Sequence, residues 1–332
     1  MNGVYIEITD VCNLHCSFCP SGMRDRATVN SPANSANAAC SARTFMPSDL
    51  FDRCINEAAT VADQVYFHVL GEPTLHPGFS LYLKKLEQVS ANRTDGKKLQ
   101  LNLTTNGTTI ERVGKSILAS PAVRQVNFST HAYAELPFDE AAENLQNVLD
   151  FCRMVAVARP DLYINLRLWN VGDESSNAWN NYMLEQVNKA FGRTGTTVDN
   201  IASDENHAPI TLEHFCSRHK SFLVEGRIYI HQDSRFEWPG LAESKKDKVE
   251  RGVRFPRGTC RALDTHCAIL HDGRVVACCL DHSGQITLGR IQENSLAEIL
   301  TSPMATNIRE GFTNHELRHP FCQRCAFCKR FK

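Results

Sequence analysis

Short runs rich in β-branched and aromatic residues alternate along the chain with longer stretches whose apolar positions recur every three or four residues. The short runs predict strands and the longer stretches predict helices. Strands are predicted at residues 4–8, 65–70, 99–103, 123–128 and 163–168, with a weaker sixth candidate at 227–231. Because strands and helices alternate, we predict an α/β fold whose parallel sheet, with right-handed crossovers, forms a partial (β/α)6 barrel.

Two predicted helices show their apolar faces directly in the sequence. The first begins at Pro47-Ser48, and its face carries Leu50, Cys54, Ile55, Ala58 and Val61. The second follows Pro137, and its face carries Leu145, Val148, Leu149, Cys152 and Val155. Cys54 and Cys152 are therefore predicted to be core thiols rather than ligands.

Two segments interrupt the alternation and suggest how the chain is organised. Residues 24–44 are rich in Ser, Asn and Ala and predict a flexible excursion. Residues 240–258 are charged and bounded by glycine, which is typical of a linker. We therefore predict a core domain at 1–239, a linker at 240–258 and a small cysteine-rich domain at 259–332.

The C-terminal part begins with a strong hairpin signal. Residues 267–270 and 274–278 flank Asp272-Gly273, a dipeptide that favours a two-residue turn. In the simplest register Cys267 lies across from Cys278 on the same face of this hairpin. A short helix is predicted at residues 296–300.

Composition narrows the classes of function. The formal net charge of −1 gives no general attraction to nucleic acid or to an anionic membrane. No secretory signal opens the chain and no run of 18 apolar residues occurs, so we expect a cytoplasmic protein without a membrane span. Fourteen cysteines in such a protein are expected to be reduced, and clustered ones indicate metal binding.

The first cysteine group directly follows the first predicted strand. Cys12, Cys16 and Cys19 fall within eight residues, so a wrapped backbone can bring all three thiolates to one centre. Three protein ligands leave a coordination position open for chemistry, whereas a structural zinc site closes with four. The alternatives are a zinc site completed by His15 and a set of buried free thiols.

This C-x3-C-x-aromatic-C sequence after strand 1 resembles the signature of the radical S-adenosylmethionine (SAM) superfamily. The resemblance implies a [4Fe-4S] cluster on Cys12, Cys16 and Cys19, with SAM bound to the remaining iron and Phe18 near the adenine. It also implies reductive cleavage of SAM to a 5′-deoxyadenosyl radical, which takes hydrogen from a substrate. A reductase such as flavodoxin or ferredoxin is the expected electron donor.

Later turns agree with the resemblance. Gly71-Glu72-Pro73 is similar to the family's Gly-Gly-Glu-Pro motif, with Leu70 in place of the first glycine, and would hold the SAM ammonium. Further positions implied to contact SAM follow the next strands: Asn106, Ser129 and Arg167, with His131 departing from the family's pattern. Each of these residues also has an ordinary alternative as a turn, cap or surface residue.

Seven cysteines lie between Cys260 and Cys328. Their spacing resembles the SPASM/twitch pattern, which implies one auxiliary [4Fe-4S] cluster on Cys260, Cys278, Cys322 and Cys325. Cys267, Cys279 and Cys328 are alternative ligands. A zinc ribbon with four cysteine ligands is the competing interpretation.

A radical core with an auxiliary cluster favours a net oxidation in which the auxiliary cluster accepts an electron. A small hydroxylated metabolite is slightly favoured over a ribosomal peptide, because no leader-recognition segment precedes the first strand. Candidate bases are His131, Glu237, Asp281 and His282. The alternatives are a peptide maturase of the same superfamily and a non-enzymatic zinc- or cluster-binding adaptor.

Overall fold

The computed structural model describes residues 1–22, 44–193, 208–216, 220–233, 238–239 and 256–331. The chain forms two compact units. Met1–Leu101 and Phe236–Lys332 together form the first unit, and Asn102–Arg235 forms the second.

The strands, in chain order, are β1 (Gly3–Ile6), β2 (Gln64–Tyr66), β3 (Gln100–Thr105), β4 (Val123–Phe128), β5 (Tyr163–Leu168), β6 (Ser221–Glu225), β7 (Ile228–Gln232), β8 (His266–Ile269), β9 (Arg274–Val276) and β10 (Thr287–Arg290). The helices are α1 (Ser48–Val61), α2 (Phe79–Ala91), α3 (Ile110–Ala119), α4 (Phe138–Ala158), α5 (Asn177–Ala190), α6 (Leu296–Leu300), α7 (Pro303–Thr313) and α8 (Pro320–Gln323).

In the first unit, β1 lies between two parallel neighbours. It pairs with β2 on one side and with β8 on the other. The antiparallel strands β9 and β10 extend the sheet beyond β8, and the first two residues of β3 pair with β2. Because β1, β2 and β8 run in the same direction, their carboxyl ends meet at one edge, where ligands collect in sheets of this kind.

The core of the first unit is built on the predicted alternation. Val4 and Ile6 of β1 are fully buried. Helix α1 begins at Ser48, as predicted, and buries the apolar face that includes Cys54. Its Phe51 ring stacks on Tyr82 with the ring centroids 3.8 Å apart. This packing holds α1 and α2 together and fixes the segments between strands.

The second unit carries the parallel strands β4, β5 and β7, and β6 is an antiparallel edge strand beside β7. Helix α4 buries Phe151, whose ring meets Phe128 edge to face. Gly114 of α3 lies against the Phe151 ring, and a Cβ at Gly114 would lie 3.0 Å from the Phe151 Cδ2. The close fit brings α3 and α4 together, and Phe151 joins α4 to β4.

The fold class predicted from the sequence is confirmed: the protein is mixed α/β, its sheet is mostly parallel and its C-terminal region is cysteine-rich. β4, β5 and α6 have the predicted bounds. β2 is shorter than predicted and ends at Tyr66, and beyond it the Leu70 N–H donates to a side chain, that of Glu7. The predictions missed β6, β10, α7 and α8.

The hairpin at Asp272-Gly273 is confirmed, but its predicted register is wrong. Ala268 pairs with Val276 and Ile269 with Val275. The register is shifted by one residue, so Cys267 does not lie across from Cys278. Cys267 instead pairs with Val4 in the parallel ladder of β1 and β8.

Some predictions concern segments outside the described residues. These are nearly all of the excursion at 24–44 and of the linker at 240–258. The domain boundaries at 239 and 259 stay predictions. Within the part of the chain that the structure describes, no helix has the length and apolar character needed to span a membrane.

Candidate functional site

The first cysteine group lies on a tight loop after β1. The Cys19 N–H donates to the Cys16 carbonyl at 3.1 Å. Gly22 packs on the same backbone, where a Cβ would lie 2.8 Å from the Cys16 nitrogen, so a larger residue does not fit. Cys12, Cys16 and Cys19 are all partly exposed, whereas Cys54 is buried. The loop therefore presents three accessible thiols on one short stretch of backbone, which fits a centre with three protein ligands. Phe18, predicted to pack near adenine, is also partly exposed.

The Gly71-Glu72 turn lies against the segment that leads into this loop. The Glu72 N–H donates to the Val11 carbonyl at 2.7 Å. Gly71 has φ +72°, and a Cβ there would lie 2.9 Å from the Asp10 Cα and closer still to the Thr9 carbonyl oxygen. Only glycine fits this position without strain. The turn and the cysteine loop are thus neighbours in the first unit.

The Glu72 carboxylate is buried and has a structural bond. Its Oε1 accepts hydrogen bonds from the Thr74 N–H at 3.0 Å and from the Thr74 hydroxyl at 2.6 Å. These bonds cap the short helical turn Pro73–Leu75. Binding of the SAM ammonium by Glu72 stays a prediction.

In the second unit, Asn106 and Ser129 form turns after their strands. The Asn106 Oδ1 accepts from the Thr108 N–H at 3.0 Å, and the Asn106 carbonyl accepts from the Tyr133 hydroxyl. The Ser129 N–H donates to the Thr105 carbonyl at 2.9 Å. These contacts fix the two turns, and the predicted roles of both residues in binding SAM stay predictions.

His131 and Arg167 come together around a residue that sequence reasoning missed. The His131 ring stacks on Trp169 with the ring centroids 5.5 Å apart, and its Nδ1 lies 3.3 Å from the Arg167 carbonyl. The Arg167 guanidinium lies 4.6 Å from the centroid of the Trp169 ring. His131 is therefore a buried, packed side chain, and its role as a base stays a prediction.

The C-terminal cysteines form one electrostatic group. Burial, together with the charges of Cys260 and Cys325, raises the pKa of Cys322 to about 12. Burial also raises the pKa of Cys278 well above its usual value, with added effects of Cys279 and Cys260. A thiolate raises the pKa of another thiol only when the two are near each other, and a cationic centre would relieve that repulsion. One region of the first unit therefore contains the predicted set Cys260, Cys278, Cys322 and Cys325 together with Cys279 and Cys328, and their assignment as ligands stays a prediction.

Cys267 is a core residue. It is fully buried, and burial raises its pKa to about 12. The register of β8 places it opposite Val4, on the face of β1 that enters the core. Cys267 is a candidate ligand only if it lies across from Cys278 in the hairpin, and the observed register of β8 and β9 excludes that arrangement.

Asp281 is fully buried and bonds to the backbone of its own loop. Its two carboxylate oxygens accept from the Gln285 N–H at 2.8 Å and from the Ile286 N–H at 2.6 Å. These bonds give Asp281 a structural role, and a role as a base stays a prediction. His282 lies edge to face with Trp238, and Glu237 lies outside the described residues.

Among the described residues, no three His, Cys, Asp or Glu side chains converge closely enough to hold a single metal ion. Within the described part of the chain, the cysteines of neither group therefore surround a single ion.

Two protein families match the chain. Residues 6–164 match the radical SAM superfamily. Residues 260–328 match SPASM, an iron–sulfur cluster-binding domain. The first match contains Cys12, Cys16 and Cys19, and the second begins at Cys260 and ends at Cys328.

Individual relatives are distant in sequence. The tungsten-containing aldehyde ferredoxin oxidoreductase cofactor-modifying protein of Pyrococcus furiosus is 21% identical over 359 aligned positions, which cover 98% of this chain and 87% of that protein. The solved structure of native anSMEcpe with bound AdoMet has a TM-score of 0.55 at 14% identity and covers 99% of this chain and 88% of its own. The same protein with AdoMet and the Cp18Cys peptide gives a TM-score of 0.53 at 13% identity, covering 98% and 87%. The two solved structures share the fold with this chain.

Proposed function

Because the chain is a radical SAM superfamily enzyme with a C-terminal SPASM domain, we propose that it is an oxidoreductase that carries out a net oxidation of its substrate. A radical SAM domain binds a [4Fe-4S] cluster and SAM, and a SPASM domain binds auxiliary iron–sulfur clusters. In the proposed assignment, Cys12, Cys16 and Cys19 hold the first cluster. The auxiliary cluster is held by the set Cys260, Cys278, Cys322 and Cys325.

The grouping of the C-terminal thiols carries the proposal. When bound, the first cluster and SAM supply a 5′-deoxyadenosyl radical that removes one hydrogen atom from the substrate. A net oxidation then removes one more electron and one proton, so it needs an electron acceptor and a base. The charge of Cys260 helps to raise the pKa of Cys322, which supports placing both thiols at one accepting centre. Four thiolates leave such a cluster no open position, which favours electron transfer.

The predicted cofactor-binding residues are assigned to SAM, and the base remains one of the candidates named from the sequence. In this proposal, Gly71 and Glu72 form the turn that binds the SAM ammonium, and Arg167 binds its carboxylate as a bidentate donor. Phe18, Asn106 and Ser129 complete the contacts to the adenine and ribose.

The substrate class has two candidates. A small hydroxylated molecule is the first, since a C–H bond beside a hydroxyl can lose a hydrogen atom, then an electron and a proton, to give a carbonyl. A peptide is the second candidate, because the fold is shared with anSMEcpe, whose solved structures include one with the Cp18Cys peptide. A cofactor precursor belongs with the first class and is suggested by the name of the Pyrococcus furiosus relative.

The test is to purify the protein without oxygen, count iron and sulfide per chain, and add dithionite and SAM while measuring 5′-deoxyadenosine. Two triple variants run beside the wild type: Cys12→Ala/Cys16→Ala/Cys19→Ala and Cys260→Ala/Cys322→Ala/Cys325→Ala. Cys54→Ala is the control, because this cysteine is buried on the core face of α1.

We expect about eight irons in the wild type and about four in each triple variant. Nucleoside should form in the wild type, in the control and in the second triple variant, and it should be absent from the first. Zinc in place of iron, with no SAM cleavage, would contradict the enzyme proposal. About four irons in the wild type with SAM cleavage intact would contradict only the auxiliary cluster and its role in oxidation.

A further inference from the structure

Glu7 is a buried carboxylate for which the proposed function has no role. It follows β1, and its side chain is 2% exposed. A carboxylate removed from water is stable only when it is well bonded. Its Oε1 accepts from the Leu70 N–H at 2.9 Å, and its Oε2 accepts from the His271 Nδ1 at 2.8 Å. The His271 N–H, at 3.3 Å, is a further donor to Oε2.

These bonds join three segments at one edge of the sheet. Leu70 follows β2, and His271 lies in the turn between β8 and β9. Both β2 and β8 are parallel neighbours of β1, so their carboxyl ends and Glu7 come to the same place. The contact between Glu7 and His271 joins positions 264 residues apart in the sequence.

Leu70 immediately precedes the Gly71-Glu72 turn. Two backbone N–H groups hold this turn to the first strand and its loop: Leu70 donates to Glu7, and Glu72 donates to the Val11 carbonyl at 2.7 Å. The second bond is made by backbone alone, whereas the first depends on where the Glu7 side chain points. Since His271 bonds the other oxygen, it determines that orientation.

We propose that His271 is a positioning residue for SAM binding: by holding Glu7, it fixes the Leu70 N–H and with it the Gly71-Glu72 turn. This inference rests on the proposed function, in which that turn binds the SAM ammonium. It assigns to the SPASM region a role in the SAM site of the first unit, in addition to holding the auxiliary cluster.

The electrostatics of His271 support this role. Burial lowers the pKa of His271, but the hydrogen bond and charge of Glu7, with the charges of Asp10 and Asp272, outweigh burial and raise it above the ordinary value. Asp272 is itself bonded to Arg274 at 2.6 Å. A protonated imidazole forms a charge-assisted bond to Glu7, which is stronger than the bond of the neutral ring. Because the pKa of His271 is raised in the folded protein, the extra strength of the charge-assisted bond is fully present at pH values below the ordinary histidine pKa. It is lost as the pH rises through the raised pKa of His271.

The experiment measures SAM affinity by equilibrium dialysis of the iron-loaded enzyme between about pH 6 and pH 9, the range in which histidine titrates. His271→Ala removes the bond to Glu7. His271→Asn keeps a donor near the Nδ1 position but does not titrate, and Glu7→Gln keeps an acceptor for Leu70 without the charge. Arg290→Ala is the matched control, because Arg290 bonds the Asp272 carbonyl of the same hairpin and does not reach Glu7.

We expect His271→Ala to weaken SAM binding about tenfold, with iron content and the control variant unchanged. The SAM affinity of the wild type should fall as the pH rises. The affinities of His271→Asn and Glu7→Gln should not show this fall, because neither variant has a protonated imidazole bonded to a carboxylate at this position. If His271→Ala does not fold, the profiles of the other two variants still decide the matter.

Two results would overturn the inference, and they differ. If the His271 and Glu7 variants bind SAM with the wild-type affinity and pH profile, His271 has no positioning role and the proposed function stands. If the wild type holds iron but does not bind SAM, the proposed function fails and this inference fails with it.

Discussion

Replacing Gly71 by alanine tests whether the turn beside the cysteine loop depends on close backbone contact. Gly71 combines φ +72° with a position where a Cβ would lie 2.9 Å from the Asp10 Cα. Gly96 offers a matched control, since its φ is +74° and nothing lies within 4 Å of a Cβ built there. The two substitutions share the conformational strain and differ only in the contact.

The magnitudes follow from these two components. A left-handed backbone costs an alanine about 1–2 kcal/mol. A Cβ forced against atoms that cannot rotate away adds about 1–3 kcal/mol. We therefore expect Gly96→Ala to lower the free energy of unfolding by about 1 kcal/mol and Gly71→Ala to lower it by about 3 kcal/mol.

Urea denaturation of the two variants, followed by circular dichroism, measures the difference. The turn can avoid the clash only by moving away from β1, so Gly71→Ala should also weaken SAM binding by more than tenfold while Gly96→Ala leaves it unchanged. Equal losses of stability in the two variants, with SAM affinity intact in both, would refute the assignment of a tight turn at Gly71.

Three further outcomes are expected. Asp281→Asn should lower the free energy of unfolding by about 2 kcal/mol, because an amide oxygen can replace only one of the two acceptors; unchanged stability with lost activity would instead support a base. In the folded apoprotein, iodoacetamide should label Cys12 within minutes and should not label Cys54, because burial raises the pKa of Cys54 to about 12. Mass spectrometry of the treated protein would show which cysteines carry the label. Ser295→Ala should cost about 1 kcal/mol by removing the capping box of α6, as thermal unfolding would show.

The elements predicted best from the sequence are those whose pattern reports burial. β4 and β5 match their predicted bounds because the run of β-branched and apolar residues begins and ends where each strand does. β6 was not predicted because its apolar residues Phe222, Leu223 and Val224 are consecutive, so the sequence does not show the alternation seen in the burial of this edge strand. β2 was predicted too long because the apolar run continues to Leu70, beyond the last residue that pairs with a neighbouring strand.

The residues of the candidate site also differ in how far the sequence predicts them. Cysteine spacing predicted both thiol groups, because each group resembles a family pattern, and the ligand assignments stay predictions. Glu7 and His271 have no such signal, because their contact depends on β8 pairing with β1. Trp169 was missed for a similar reason: it stacks on His131 only after β5 lies beside the turn that follows β4.

The pairing of β1 with β8 also explains why the C-terminal region matters to the first unit as a whole. Four residue pairs join the two strands, from Gly3 with His266 to Ile6 with Ile269, so β8 covers an edge that β1 would otherwise expose. Around this seam Val69 packs with Ala268, Leu270 and Val276. Helix α1 adds a second connection, because the Glu57 carboxylate accepts from the Leu296 N–H at 2.8 Å. The C-terminal region that carries the predicted auxiliary cysteines therefore supplies one of the two neighbours of β1, the strand that leads into Cys12. A change in that region can reach the proposed SAM site through the backbone of β1.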